Sequence, residues 1–294
     1  MRLKLTLAYD GRPFAGWQSQ RGRPTVQDTV EAAVAAIGGP SPDGSLVRVQ
    51  SSGRTDTGVH ALAQVAHFDT PPTTRLGEAE WHRALNAVLP PAIRIMRCEQ
   101  VAPDFHARFD ATGKIYRYRL WHGEVLPPLE YGLAWHLHGC LSTSLLHKGA
   151  RIFVGTHDFT AFSANRGGEK DATADKVRTI QHADFHQDGE LITLTLEGDG
   201  FLYKMIRMIV GALVRVARGH DDLDRLHHLL AHPHQKKPGW QAPPDGLQLV
   251  RVIYPPSSSL SPATLAPATL SPPAPPTPRE NEPPEPPSSL TGQL

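Results

Sequence analysis

The chain has 294 residues, 20% of them charged and 39% hydrophobic, with a formal net charge of +1, the composition expected of a soluble globular protein of one large or two ordinary domains. Its two cysteines, Cys98 and Cys140, exclude a disulfide framework and a CxxC metal knuckle, and they favour a reducing cytoplasm. The polar alternation of MRLKLTLAYDG lacks the continuous apolar core of a signal peptide, and the apolar run at 208–214, bracketed by Arg207 and Arg215, is too short to span a membrane.

Residues 2–9 set Leu3, Leu5, Leu7 and Tyr9 against Lys4 and Thr6, the period-two pattern of a strand that ends at Asp10 and Gly11. After a polar loop, Thr25 and Asp28 resemble a capping box. Val26, Val30, Ala33, Val34 and Ile37 then follow at helical spacing as far as Gly38 and Gly39. The pattern next predicts a strand at 46–51 and one at 59–68 that is apolar on both faces, as a central strand would be. Trp81, Ala84, Leu85 and Val88 mark a second helix closed by Pro90 and Pro91, and 93–101 reads as a fourth strand.

The order βαββαβ is the ferredoxin-like unit, and the second half repeats it. A strand at 114–121 precedes a helix at 145–153, and strands at 176–185 and 191–197 are joined at Asp188 and Gly189. The longest helix, about 201–218, stops at Gly219; a helical segment at 223–230 and a strand at 247–254 complete the set. The expected fold is therefore α+β, with an N-terminal lobe at 1–105 and a C-terminal lobe at 106–254. Their antiparallel sheets would join side by side and leave an open face for a large ligand. The stretch 255–294 carries 13 of the 28 prolines and too few large apolar groups to pack a core, so it is expected to be a disordered tail.

The stretch 51–69, SSGRTDTGVHALAQVAHFD, sets a carboxylate in a glycine-bounded turn between two strand-like runs. Gly53 and Gly58 permit tight or left-handed backbone on either side of Asp56, which a short loop would then project from a sheet end with Arg54 beside it. An arginine next to a carboxylate on a scaffolded loop suits chemistry on an anionic substrate, although an Asx-type turn has the same composition. Asp56-Thr57-Gly58 also matches the aspartic-protease turn, but that chemistry needs two such carboxylates and the chain has one Asp-Thr-Gly.

The remaining constellations are weaker. His228, His232 and His234 lack the acid of an HExxH site and read as surface helix residues, while His60 and His67 fall on opposite faces of one strand. The segment 155–159, GTHDF, reads as a polar loop without a nucleophile elbow, and no P-loop or dinucleotide fingerprint is present. Without the tail the chain carries 29 basic and 26 acidic residues, or +3, so charge placement matters more than the total. Basic residues gather at 114–119, at Lys204, Arg207, Arg215 and Arg218, and at Lys236 and Lys237, which would make a phosphate-tracking surface if they converged. Tyr116 and Tyr118 share one face of the basic strand, as cross-strand packing or base stacking requires. Arg207 lies among Met205, Ile206, Met208 and Ile209, where a charge is costly unless paired, and Asp56 is the candidate partner.

In this order, YDGRPFAGWQSQ, TVQ, GRTDTGVHA, QVAHFD, LNAVLP, FHARF, IYRY, GTHDFTAF and MIRMIVGAL resemble the motifs of TruA-type tRNA pseudouridine synthases, over about residues 3–254. The resemblance implies a pseudouridine synthase fold, a homodimer, and isomerisation of uridines 38, 39 and 40 in the anticodon arm of tRNA without a cofactor. By that resemblance Asp56 is the catalytic carboxylate. Tyr116 stacks on the target base and serves in removing its C5 proton, Arg54 helps to flip the base, and Arg207 is the ion-pair partner of the carboxylate. Two departures stand out: Thr57 replaces the usual alanine beside the aspartate, and the proline-rich tail has no counterpart. The alternative is a non-catalytic RNA-binding protein on the same frame, which would have no need of Asp56.

Overall fold

The computed structural model describes residues 1–39, 44–45, 47–165, 175–235 and 239–256; the proline-rich tail expectation and Lys236 and Lys237 lie outside the described residues. Among the described residues ten strands form one sheet: β1 (Arg2–Tyr9), β2 (Gln50–Ser51), β3 (His60–Asp69), β4 (Ile93–Val101), β5 (Gly113–Trp121), β6 (Trp135–His136), β7 (Gly155–Asp158), β8 (Val177–Asp188), β9 (Leu191–Gly198) and β10 (Leu247–Ile253). Their order is β4-β1-β3-β10-β5-β9-β8-β7, with β2 on β3 and β6 on β5. The helices are α1 (Val26–Gly38), α2 (Glu78–Val88), α3 (Thr143–Ile152), α4 (Met205–Ala217) and α5 (Leu223–Ala231). The chain is thus α+β with one large sheet, and among the described residues no helix is long and apolar enough to cross a membrane.

Local pattern explains most of these elements. Leu3, Leu5, Leu7 and Tyr9 alternate into the core along β1, and Lys4 on the other face pairs with Glu99 at 3.2 Å. Thr25 caps α1, its hydroxyl oxygen accepting from the Asp28 N–H, while Val26, Val30, Ala33 and Val34 fill one helical stripe.

The expected strand at 46–51 shortens to the two residues of β2. Side chains of α1 take the backbone groups that a ladder would have used. Buried Glu31 accepts from the Val49 N–H at 3.0 Å, and Gln27 donates to the Val49 carbonyl at 3.2 Å. Conversely, the segment expected to be a polar loop contains an edge strand, β7, because β8 offers it a ladder and Thr156 meets Thr179 hydroxyl to hydroxyl at 2.9 Å. The longest helix starts at Met205 and not near residue 201, since Lys204 adopts a left-handed conformation (φ 61°) that ends any helical run through it.

The halves meet along β10. It pairs antiparallel with β5 and parallel with β3 through Gln248–His60 and Leu249–Ala61, so the junction between the two sets of antiparallel strands is itself parallel. This seam brings the loop before β3 close to the start of α4, although 151 residues separate Asp56 from Arg207.

Two buried histidines on β3 couple the fold to pH. His60 accepts from the Gly11 N–H at 3.2 Å and its other nitrogen faces the Gly132 carbonyl, while His67 accepts from the Ala107 N–H. Burial lowers both pKa values, that of His67 to about 4, with the neighbouring His106 adding. A folded-state value below the unfolded one, near ~6.5, means that the stability is present above pH ~6.5 and is lost as the pH falls toward 4. Replacing His67 with Gln is expected to remove on the order of 3 kcal/mol of that acid-side loss. Urea unfolding at neutral pH and near pH 4.5 checks this, and an unchanged difference between the two would sink it.

Candidate active site

Asp56 sits on a turn held from beneath by the segment between β1 and α1. The Trp17 N–H donates to the Thr55 carbonyl at 3.1 Å, the Gly58 N–H to the Phe14 carbonyl at 3.4 Å, and the Tyr9 and Thr55 hydroxyls meet at 2.9 Å. Two glycines make that contact possible. A Cβ on Gly11 would lie 2.1 Å from the Val59 carbonyl oxygen, and one on Gly16, at φ +94°, 2.6 Å from that of Thr55. Of the glycines that flank Asp56, only Gly58 is left-handed; Gly53 is small for another reason, described below.

Gly16→Ala is accordingly expected to displace the Asp56 turn, costing about 1–3 kcal/mol of stability through backbone strain and roughly a hundredfold in turnover through misplacement of the carboxylate. Urea unfolding and single-turnover rates check the two separately. A wild-type rate would show that the Gly11–Trp17 segment does not position Asp56.

Arg207 approaches from α4. Its guanidinium is nearly buried, Nη1 lies 3.4 Å from Asp56 Oδ2, and Nε donates to the Ala242 carbonyl at 2.8 Å. With its amide oxygen turned inward, Gln241 accepts from Nη1 and Nη2 at 3.2 and 2.5 Å. The segment carrying Gln241 and Ala242 can lie on α4 because residue 211, one turn beyond Arg207, is glycine: a Cβ there would stand 3.1 Å from the Trp240 carbonyl. The Ala242 N–H returns a bond to the Arg207 carbonyl at 2.9 Å. The cost of placing a charge in an apolar helix is met by this set of acceptors.

The cavity at this pair, about 50 Å³, is lined by Arg54, Asp56, Tyr116, Phe201, Lys204 and Arg207, so the four residues singled out from sequence converge on one site. Tyr116, on β5 opposite Leu249 of β10, meets Phe201 edge-on at 5.2 Å between ring centres. Burial raises its phenol well above the ordinary range, with Tyr9 and the Asp56 charge adding, and the ring is neutral at physiological pH. Arg54 lines the cavity and is exposed at its mouth; Thr57, next to Asp56, is exposed. That volume holds a few waters.

Sequence reasoning passed over Gly11, Gly16, Gly211, Phe201 and the Lys204 turn. Gly11 was visible as the end of a strand, but the reason for all three glycines is a close approach from segments distant in the chain. The basic residues do not act as one set: Arg119 pairs with Glu130 at 2.8 Å, Arg215 pairs with Asp221 at 2.6 Å, and Arg218 donates to the His138 carbonyl. Tyr118 is wholly buried and donates to the Pro243 carbonyl at 2.7 Å, which makes it a core residue and not a stacking platform. His228, His232 and His234 are exposed, and among the described residues no group of three His, Cys, Asp or Glu is placed to hold a metal ion.

Comparison with known proteins agrees with this geometry. The family model described as tRNA pseudouridine synthase matches residues 6–110 and 150–255, more than half of the chain and both sides of the cavity. Curated relatives named tRNA pseudouridine synthase A include one from Akkermansia muciniphila, 47% identical over 86% of this chain and 95% of its own length. Another, from Anoxybacillus flavithermus, is 41% identical over 86% of this chain and 98% of its own. A third, from Bordetella petrii, is 39% identical over 88% and 94%. With a conserved-length match of this kind across both halves, the chain belongs to the tRNA pseudouridine synthase family of isomerases.

Proposed function

We propose that this chain isomerises uridines 38, 39 and 40 in the anticodon arm of tRNA to pseudouridine, with Asp56 as the catalytic carboxylate. The observation that carries the reading is the ion pair of Asp56 with a nearly buried arginine at the wall of a cavity that also holds Arg54 and Tyr116. The reaction breaks the N1–C1′ bond, turns the base, joins C5 to the same C1′ and moves the C5 proton away, with no change of redox state. A carboxylate beside the sugar, a group to pass the proton and a pocket for an extruded base are sufficient. In this scheme Asp56 acts at the sugar, and Arg207 keeps it charged and aimed. Tyr116 stacks on the base and, being a neutral phenol, takes the C5 proton only as it passes its own on to solvent, while N1 gains a proton in return, so that none is consumed overall. Arg54 at the mouth helps to flip the base out of the RNA.

The same reading makes the two halves tandem ferredoxin-like lobes, at 1–105 and 106–254. In its support, each half orders its strands alike: β4-β1-β3-β2 in the first and β10-β5-β9-β8 in the second. The chain would act as a cytoplasmic homodimer. Incubation of the purified protein with a uridine-containing tRNA transcript, followed by mapping of pseudouridine at single-nucleotide resolution, tests the function. Modification at 38–40 is the expected result. Tight binding with no pseudouridine would favour a non-catalytic RNA-binding protein.

A further inference from the structure

A second cavity, about 420 Å³, shares Arg54, Tyr116 and Phe201 with the Asp56 cavity and extends away from it toward Lys114. Lys114 is half-buried on β5, and among the described residues it has no hydrogen-bond or ion-pair partner. The charges that act on it, Arg108 and Arg178, are both positive. Gly53, on the chain leading to Asp56, is what admits this ammonium: a Cβ there would lie 3.2 Å from Nζ. A desolvated cation crowded by two other cations is costly in the empty protein, and an anion would relieve it. At the mouth, the Phe109 ring is 74% exposed and leans on His106 at 4.2 Å between ring centres, a face on which an unpaired base can stack.

We propose that this second cavity seats a phosphodiester of the RNA strand next to the extruded uridine, with Lys114 as its principal cation. The proposal rests on the reading of the Asp56 cavity as the uridine site, since the two cavities are contiguous and a nucleotide's own phosphate would reach from one to the other.

The groups facing Lys114 are Arg54 on the loop after β2, His106 and Arg108 before β5, Tyr116 on its own strand and Arg178 on β8. Burial, ahead of the two guanidinium charges, holds its pKa at about 8. A seated phosphate would raise that value. Binding is therefore at full strength below pH 8 and weakens as the free site loses its proton above it.

The test is binding of a tRNA transcript to the full-length protein by fluorescence anisotropy, from neutral to mildly alkaline pH and over a range of salt, with turnover measured alongside. Wild-type affinity is expected to fall several-fold as the pH rises through 8. Lys114→Met is expected to bind on the order of tenfold more weakly at neutral pH, without that fall, and with a salt slope smaller by about 0.7–0.9. Lys114→Arg should bind tightly with no fall, because a guanidinium does not titrate in this range. Melting curves show that the variants are folded, and Lys114→Gln repeats the comparison with a second neutral side chain. If Met and Gln both bind like wild type with its pH and salt dependence, the phosphate seat is overturned, whatever the turnover. If the Lys114 effects appear but wild type makes no pseudouridine, the seat stands and the proposed reaction falls.

Discussion

Asp56→Asn is expected to abolish pseudouridine formation, lowering the single-turnover rate by at least about a thousandfold, while tRNA affinity and the unfolding midpoint change little. The substitution keeps side-chain volume and the capacity to accept from Arg207 Nη1, which lies 3.4 Å away, but it removes the negative charge that would act at the sugar. The backbone of the turn is held by bonds from Trp17 and Gly58 and by the Tyr9–Thr55 hydroxyl contact, which the substitution leaves in place. An Asn variant with more than a few per cent of the wild-type rate would remove Asp56 from the mechanism. Asp56→Ala is a less clean probe, since it also empties part of the contact with Arg207.

The second large effect is expected from Arg207→Met, a change that keeps the apolar stripe of α4 filled. The guanidinium has three roles in the structure: it faces Asp56, it holds the Ala242 carbonyl, and it is embraced by Gln241. Its removal leaves a buried carbonyl unsatisfied, which costs about 1–3 kcal/mol. It also takes a positive charge from beside a carboxylate that is only 16% exposed. Burial raises a carboxylate's pKa and a neighbouring cation lowers it by about 1–3 units, so the variant's Asp56 titrates at higher pH than the wild type's. If Asp56 acts as the anion, activity is retained above that pKa and lost below it, and the acidic limb of the single-turnover pH profile is expected to move upward. The rate falls even on the alkaline plateau, through lost orientation. A limb that stays in place together with an unchanged rate would separate Arg207 from Asp56 functionally despite their contact.

Much of this molecule was legible before any coordinates. Alternation along 2–9, the capped helix from Val26 and the all-round apolar helix carrying Arg207 are local patterns, set by side-chain period and by sterics between near neighbours. The charge at Arg207, set among apolar neighbours, already demanded a partner, and a glycine-bounded aspartate was available to supply it. Partner choice among distant segments was not legible. A two-residue parallel pairing of β10 with β3 carries no periodic signature, yet it sets the Asp56 turn against α4.

Likewise, nothing in the basic residues themselves distinguishes Arg119 and Arg215, which find carboxylates, from Lys114, which among the described residues does not. The residues around 47–49 lost their ladder to Glu31 and Gln27 for the same reason, since a helix side chain from earlier in the chain reached their backbone first. Most of the elements, though not all their bounds, and the chemistry they carry follow from neighbours within a few residues. Which charges are neutralised and which face an open cavity is a matter of the folded chain, because burial and pairing energies depend on segments brought together from far apart.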